Sequence, residues 1–441
     1  MEKNGLGVLW RHLKEDRRYA AAVGLGVTSG MPFLLVYSTQ SAWLSEANVS
    51  LEIIGLMSWL TLAYKFKFVW APLLDQYDPP LLGNWLGRRR GWIVASQIAV
   101  AAMLAGVAFG DPVNRLWWTM GFSLALGVAG ATQDIVIDGW RINAVPQSKL
   151  PLITAFAEAG YRVGNLVAGA GALFLASAYG WQTAYLCMAA MMLPGVLSAL
   201  LAPEPPLDYI HAQHKERPGL AKAIWTPIKD LFVRLGPLAV PILLLIAGFR
   251  MPGYVSSAMA MPLFKHLHYT DAEIATVTKI FGFGVAIAAT FFSSWLVSRA
   301  GMMGAMLIGT VAASASHLSL AWLAAYGGGG DFWTFAITVS IDSFAYAFAS
   351  VVLITFMSSL ASAEFAGSQF ALMTSLCAMP GFFLGGLGGF LAERVGFTSF
   401  FVITSLIGLP VALLCFWLWR KHGNELITME KTAEAAGMEA H

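Results

Sequence analysis

Charge is what this chain has least of. Lysine, arginine, aspartate and glutamate make up 12% of its 441 residues, about half of the roughly 25% usual in soluble domains. The two signs nearly cancel, leaving a net +2 at pH 7, so no broad basic surface is present to attract nucleic acid. Cysteine is scarce as well. Cys187, Cys377 and Cys415 each fall inside an apolar stretch, at no metal or redox spacing, and read as small buried core residues. No phosphate-binding glycine loop, metal-ligand spacing or nucleophile elbow occurs. These absences argue against an ATP-driven pump and against an enzyme, and they leave no metal or organic cofactor to expect. A cleavable signal peptide is not visible either: the first 18 residues are charged and the apolar run after them is too long for a signal core.

What the chain has is long apolar runs, twelve of them, in two groups of six around one polar loop. Each is close to the length needed to cross a ~30 Å hydrocarbon layer, about 20 helical residues at 1.5 Å rise. The first six are Tyr19–Leu44, Ile53–Pro72, Trp92–Phe109, Leu116–Trp140, Leu152–Ala178 and Trp181–Leu201. The second six are Leu238–Phe264, Ala272–Val297, Met303–Tyr326, Phe332–Leu360, Phe365–Leu391 and Ser399–Trp419. The reading is an all-helical, multi-pass membrane protein: an N-terminal six-helix bundle over 1–201, a linker over 202–237, a C-terminal bundle over 238–420 and a tail over 421–441. Lysines and arginines between spans crowd one side, with only Arg115, Lys265 and Arg394 on the other. That bias places both termini in the cytoplasm.

A short internal repeat joins the halves. The fifth span has Phe156-Ala157, a glycine-rich tail and then Gly180-Trp181; the eleventh has Phe370-Ala371, a glycine-rich tail and then Gly396-Phe397. Two like-oriented halves of six spans are the layout of major-facilitator transporters, whose cargo site lies between the halves at mid-membrane.

Ionisable residues inside spans are costly and usually functional. This chain has Lys65, Lys67, Asp134, Asp138, Glu158, Arg162, Arg250, Lys279 and Asp342. Asp134 and Asp138 are four apart and share a helix face, as do Glu158 and Arg162 on the next span. The four read as a proton-sensitive site, a gate lock, or a charge network that seals the cytoplasmic end of the first half. Asp75 and the run Arg88-Arg89-Arg90 flank the loop between spans two and three. With Arg141 they form a candidate cytoplasmic gate, able to pair with Asp138 or a neighbouring helix end, as well as a positive-inside anchor. Arg250 and Asp342 fall near mid-membrane in spans seven and ten, where they face each other, face a cargo, or form a buried structural pair. Pro252 and Gly253 are expected to break the helix just after Arg250. Gln40, Tyr37 and Ser38 of the first span and Gln133 of the fourth suit either hydroxyl and amide recognition or interhelical hydrogen bonds. The glycines at 160, 164, 169, 171, 381, 385, 386, 388 and 389 read as close helix packing.

The run from Tyr64-Lys65-Phe66-Lys67 to Pro72-Leu73-Leu74-Asp75, then Gly87-Arg88-Arg89-Arg90-Gly91-Trp92, resembles the muropeptide permease (AmpG) family of the major facilitators. So do Gln133-Asp134-Ile135-Val136-Ile137-Asp138-Gly139-Trp140, Gly160-Tyr161-Arg162-Val163-Gly164 and Ser368-Gln369-Phe370-Ala371. The resemblance implies a proton-driven importer of the bacterial inner membrane whose cargo is N-acetylglucosamine–anhydro-N-acetylmuramic acid peptides, for cell-wall recycling. It implies a monomer with a small-molecule, sugar-peptide partner, the lipid bilayer around it and no cofactor beyond the proton gradient. Asp134, Asp138, Glu158 and Asp342 are then the candidate proton carriers. Gln40, Lys67, Gln133, Arg162, Arg250 and Lys279 are the candidate cargo contacts. Two positions depart from the family pattern: Gly253 stands where an acid is common, and Gly381-Phe382 where a basic residue is common. A siderophore importer or an acetyl-coenzyme A carrier of the same shape is the alternative.

Overall fold

The computed structural model describes residues 5–205, 220–327, 331–384 and 387–438. Gly385 and Gly386 of the glycine-rich run, and residues 206–219 of the linker, lie outside the described residues. Among those residues the regular structure is helical, with one isolated bridge pair, Asp111 and Arg115, and no strand. Apolar faces all round most helices, with the few charges confined to particular turns, leave backbone groups no partner but their own helix once water is absent. The chain folds as two compact units. Unit 1 gathers the described residues up to Leu231 together with Ala361–Leu372 and 436–438; unit 2 gathers Phe232–Leu360 and Met373–Ala435.

In unit 1 the first membrane-length stretch, Arg17–Glu46, is interrupted. Its opening helix α1 (Arg17–Ser29) is capped by Asp16, whose carboxylate accepts from the Arg18 backbone N–H. Pro32, which has no N–H to give, starts a fresh turn over Pro32–Val36. The stretch from Leu51 to Gln76 is a chain of short α and 3₁₀ turns, with Lys67 opening the 3₁₀ turn Lys67–Val69 and Pro72 opening the turn Ala71–Gln76. Three long helices follow: α2 (Arg88–Ala108), α3 (Leu116–Asn143) and α4 (Leu150–Leu166).

The crossing of α1 and α4 is set by four glycines at fourfold spacing on both helices. A Cβ on Gly26 or Gly30 would sit 2.2 or 2.3 Å from the carbonyl oxygens of Ala157 or Tyr161; one on Gly160 or Gly164 would sit 2.2 or 2.0 Å from those of Val23 or Val27. Only glycine permits backbones to touch this closely, and in lipid such contact is the main source of helix association. The crossing places Ser29 of α1 beside the polar residues of α3 and α4. Helix α5 (Leu220–Leu235) lies in unit 1 as far as Leu231 and continues into unit 2 from Phe232.

Unit 2 begins with α6 (Ala239–Phe249) and α7 (Met251–His266), separated at Arg250. The break expected from Pro252 is present, one residue upstream of Met251. Next come α8 (Gly282–Tyr326), kinked at Gly301, α9 (Phe332–Leu360), α10 (Ala366–Leu384) and α11 (Leu387–Met438), kinked at Gly396. Helix α10 starts in unit 1 and continues in unit 2 from Met373. The core of unit 2 includes Phe264, Tyr269, Phe335 and Phe400, with the Tyr269 and Phe335 rings stacked at 4.2 Å between centroids. Helices α8 and α11 also meet closely, because Gly408 leaves room for Ser314, whose Oγ would lie 1.7 Å from a Cβ there.

Four interhelical joints share one conformation. Gly87, Gly180, Gly301 and Gly396 have φ of 82°, 83°, 72° and 76°. Gly180 and Gly396 are the two positions that the sequence repeat matches, and each is a single-residue turn between consecutive helices.

Candidate functional site

The polar groups of unit 1 fall into two clusters. In the first, Asp134 of α3 accepts a hydrogen bond from Ser29 Oγ of α1 at 2.6 Å. Its other oxygen lies 3.9 Å from Lys67 Nζ, with the two side chains 16% and 8% exposed. At that distance the ion pair is loose; two unit charges 4 Å apart in a partly buried setting attract by roughly 4 kcal/mol before desolvation. Asp138 and Glu158 lie within electrostatic range of Asp134. Asp138 takes its own cation, Arg141, at 3.0 Å, and Arg141 also donates to Thr154 Oγ1 at 2.6 Å. The two carboxylates of the Asp-x-x-x-Asp pattern are therefore divided between Lys67 and Arg141. Glu158 and Arg162 are half-buried on α4 and both are engaged in polar interactions.

Gln133 is fully buried, and neither its amide oxygen nor its nitrogen has a hydrogen-bond partner. Tyr64, whose hydroxyl is likewise buried and unpartnered, packs against α3 at Gly130. Gln40 is different: its amide nitrogen donates to Ser123 Oγ across two helices. One side of Gln40 thus serves as an interhelical link, while its amide oxygen is buried without a partner.

The second cluster is built on Asp75. Its carboxylate accepts from Arg89 Nη1 at 2.5 Å, from the Ser368 N–H at 2.7 Å and from Ser368 Oγ at 2.5 Å. The Asp75 and Arg89 side chains are 0% and 1% exposed. The three neighbouring arginines have separate tasks. Arg89 pairs with Asp75. Arg90 donates from Nε and Nη2 to the Ala199 and Leu200 carbonyls at 3.1 and 2.8 Å, closing the end of the helix Leu193–Leu201. Arg88 is buried, with Nε and Nη2 unpartnered. Glu204 accepts from the Arg89 and Arg90 backbone N–H groups at 2.7 and 2.9 Å, a carboxylate at a helix N-terminus where the dipole favours it. The end of a neighbouring helix is thus one partner of this arginine run, and Asp138 binds Arg141 instead.

The start of α10 is fastened to unit 1 by further contacts. Arg141 lies 5.2 Å from the Phe370 ring centroid, Asn143 donates to the Ala363 carbonyl at 2.9 Å, and Gln369 donates to Asp230 of α5 at 2.7 Å. A Cβ on Gly367 would be 3.0 Å from Asp75 Oδ1.

In unit 2, Arg250 and Asp342 line one cavity of about 280 Å³. Arg250 donates from Nη2 to Ser350 Oγ and hydrogen-bonds the Tyr254 hydroxyl. Asp342 Oδ1 accepts from Ser316 Oγ at 2.8 Å. Lys279 sits on the π-helical turn Thr276–Phe281, exposed and outside this lining. The same cavity contains a residue the charge pattern did not select, His317 of α8. It is the one ionisable side chain between Met303 and Tyr326, and that isolation is the signal that could have found it.

The sequence pattern of the Major Facilitator Superfamily matches residues 20–386. The anhydromuropeptide permease of Escherichia coli (strain K12) is 31% identical over 406 residues, covering 91% of this chain and 80% of the relative. The putative transporter AmpG 4 of Rickettsia felis is 28% identical over 409 residues, covering 92% and 98%. Among solved structures, the proton:xylose symporter XylE superposes with a TM-score of 0.65 at 14% identity, covering 92% of this chain and 95% of its own; at that identity the likeness concerns the fold.

Proposed function

The chain belongs to the Major Facilitator Superfamily, and we propose that it is a proton-driven importer of anhydro-muropeptides working by alternating access in the bacterial inner membrane, with both termini in the cytoplasm. Its fold is all-α, with the twelve membrane helices in two six-helix bundles that this superfamily shares, and its function is transport, not catalysis. The likeness to an anhydromuropeptide permease along nine-tenths of the chain supports the cargo. The observation that carries the coupling is the arrangement around Asp134. A carboxylate held by one hydroxyl and one loosely placed lysine can exchange that lysine for a proton. Once protonated it leaves Lys67 without its counter-charge, in a span where an unpaired cation is expensive. A carboxylate of the cargo peptide is the natural replacement. Proton and cargo then enter together, because each makes the other's position less costly.

Asp138, Glu158 and Asp342 are the further proton carriers in this reading, and Gln40, Gln133, Arg162, Arg250 and Lys279 the further cargo contacts. Gln133 fits that role best among the neutral groups, since a buried amide with both ends unmatched costs about 1–3 kcal/mol per atom unless something binds it. The Asp75 cluster, with Arg88, Arg89, Arg90 and Arg141, serves as the cytoplasmic gate: it fastens the first residues of α10, and its opening would release them.

The test is uptake of labelled anhydro-muropeptide into cells lacking their own permease, with and without a protonophore. Accumulation that the protonophore abolishes is the expected result. Absence of uptake in both conditions rejects this cargo, and uptake that ignores the protonophore rejects the coupling.

A further inference from the structure

A buried imidazole with one nitrogen unmatched needs a physical reason. His317 is 3% exposed. Its Nε2 lies 3.0 Å from Ser256 Oγ of α7, while its Nδ1 is buried with no hydrogen-bond partner. The Ser256 hydroxyl donates to the Gly253 carbonyl at 3.3 Å, so towards the ring it offers a lone pair. With the hydroxyl so oriented, a hydrogen on Nε2 is donated to Ser256, and the Thr404 backbone stands ready to accept a second ring hydrogen. The ring belongs to the lining of the 280 Å³ cavity, which has room for several waters at about 30 Å³ each. Asp342 of α9 lines the same cavity and interacts electrostatically with the ring. It is held there by Ser316, the residue next to His317.

We propose that His317 and Asp342 form a second proton-holding pair, in unit 2, which works alongside Asp134 of unit 1. This rests on the proton-driven reading above. A water in the cavity delivers the proton to Nδ1. The resulting imidazolium keeps Nε2–H donated to Ser256, and the Asp342 carboxylate balances its charge. The surroundings on each packed helix bear on this step. Arg250 stands at the break before α7 and Tyr254 comes from α7 itself, while α9 supplies Asp342 and Tyr346; α10 adds Cys377, beside Tyr254 and Arg250. The helix of Thr404 brings its backbone, and its sequence carries no charge between Gly396 and Trp419. Arg250 is the one positive side chain in the cavity lining among the described residues. A cargo carboxylate on Arg250 would bring a negative charge into the same cavity, so cargo and proton favour each other's binding by linkage.

The pair can be tested without any cargo. The purified full chain in detergent is stepped from pH 8 to 5.5, and proton uptake is counted with a pH dye for wild type, His317→Gln and Asp342→Asn. The expected result is a deficit of up to about one proton by pH 5.5 in His317→Gln, with a matching deficit in Asp342→Asn. Equal counts in wild type and His317→Gln overturn the proposal. Gel filtration and melting confirm the fold of each variant; if His317→Gln does not fold, the decision passes to Asp342→Asn, where an unchanged count is fatal. In cells, His317→Gln is expected to lose accumulation of labelled anhydro-muropeptide at least tenfold. Wild-type accumulation and pH profile in that variant count against the pair. Absence of wild-type uptake refutes the cargo instead, and the proton count still decides the pair.

Discussion

Replacing Asp75 by Asn tests the gate cluster quantitatively. The substitution changes no volume and leaves an oxygen able to accept from Ser368, but it removes the only negative charge that meets Arg89 at 2.5 Å. Both side chains are out of contact with solvent, so the guanidinium is left buried and uncompensated. Breaking one side of such a pair costs about 3–5 kcal/mol. At roughly 2–4 °C per kcal/mol for a unit of this size, the apparent melting temperature falls on the order of 10 °C. Arg89→Gln alone leaves Asp75 with two of its three donors and should lose a comparable amount. The double variant is the informative one. With both charges gone nothing buried is unpaired, so Asp75→Asn/Arg89→Gln should melt within a few degrees of either single variant rather than at the sum of the two losses. Additive losses would refute the claim that these two side chains form one electrostatic unit. The cluster also fastens α10 through Ser368, so Ser368→Val, which removes one donor and no charge, should cost less, about 1 kcal/mol, measured in the same melting assay.

Asp134→Asn should reach the membrane in normal amount yet lose protonophore-sensitive accumulation, read as the ratio of internal to external label; unchanged accumulation counts against proton exchange at this carboxylate. Gly160→Leu should lower the melting temperature or abolish expression, since its Cβ alone would lie 2.2 Å from the Val23 carbonyl and overpacking typically costs 1–3 kcal/mol or more; the same change at Gly121, where nothing lies within 4 Å, should be tolerated. Arg18 beside Asp16 holds that carboxyl below its usual range, so the contribution of Asp16 is present above about pH 4 and fades as the pH falls below it. Asp16→Asn should therefore lower the melting temperature slightly at pH 7 and hardly at all near pH 3, a difference under about 1 kcal/mol for a partly exposed pair.

Long apolar runs made the all-helical membrane class legible, because in lipid the length of a run and its lack of charge leave few alternatives to a helix; among the described residues eight stretches are long and apolar enough to cross, and Leu51–Gln76 breaks into short turns instead. The break at Arg250 was equally readable, since Pro252 cannot extend a helix across the residue before it. The α1–α4 crossing was half visible: Gly160 and Gly164 stood out within a glycine-rich run, whereas Gly26 and Gly30 sit in ordinary surroundings and gain meaning only from the partner helix. Pairings were much less legible. Nothing in the local pattern links Asp75 to Ser368, 293 residues away, and a carboxylate followed by three arginines offers several partners of equal plausibility. Asp138 was matched in sequence to Asp134 by helix face, yet Arg141, one turn further along the same helix, is nearer and of opposite sign. His317 escaped because a search for formal charge passes over a residue that is neutral at pH 7.

The shared φ near +80° at Gly180 and Gly396, repeated at Gly87 and Gly301, has a practical consequence for mapping this molecule. A single-residue elbow leaves no spare chain, so an epitope tag, protease site or reporter inserted at any of the four would have to pry two helices apart before it could be displayed. Failure of such an insertion would say nothing about which side of the bilayer it faced. Because all four elbows bend alike, tolerance measured at one of them forecasts tolerance at the other three.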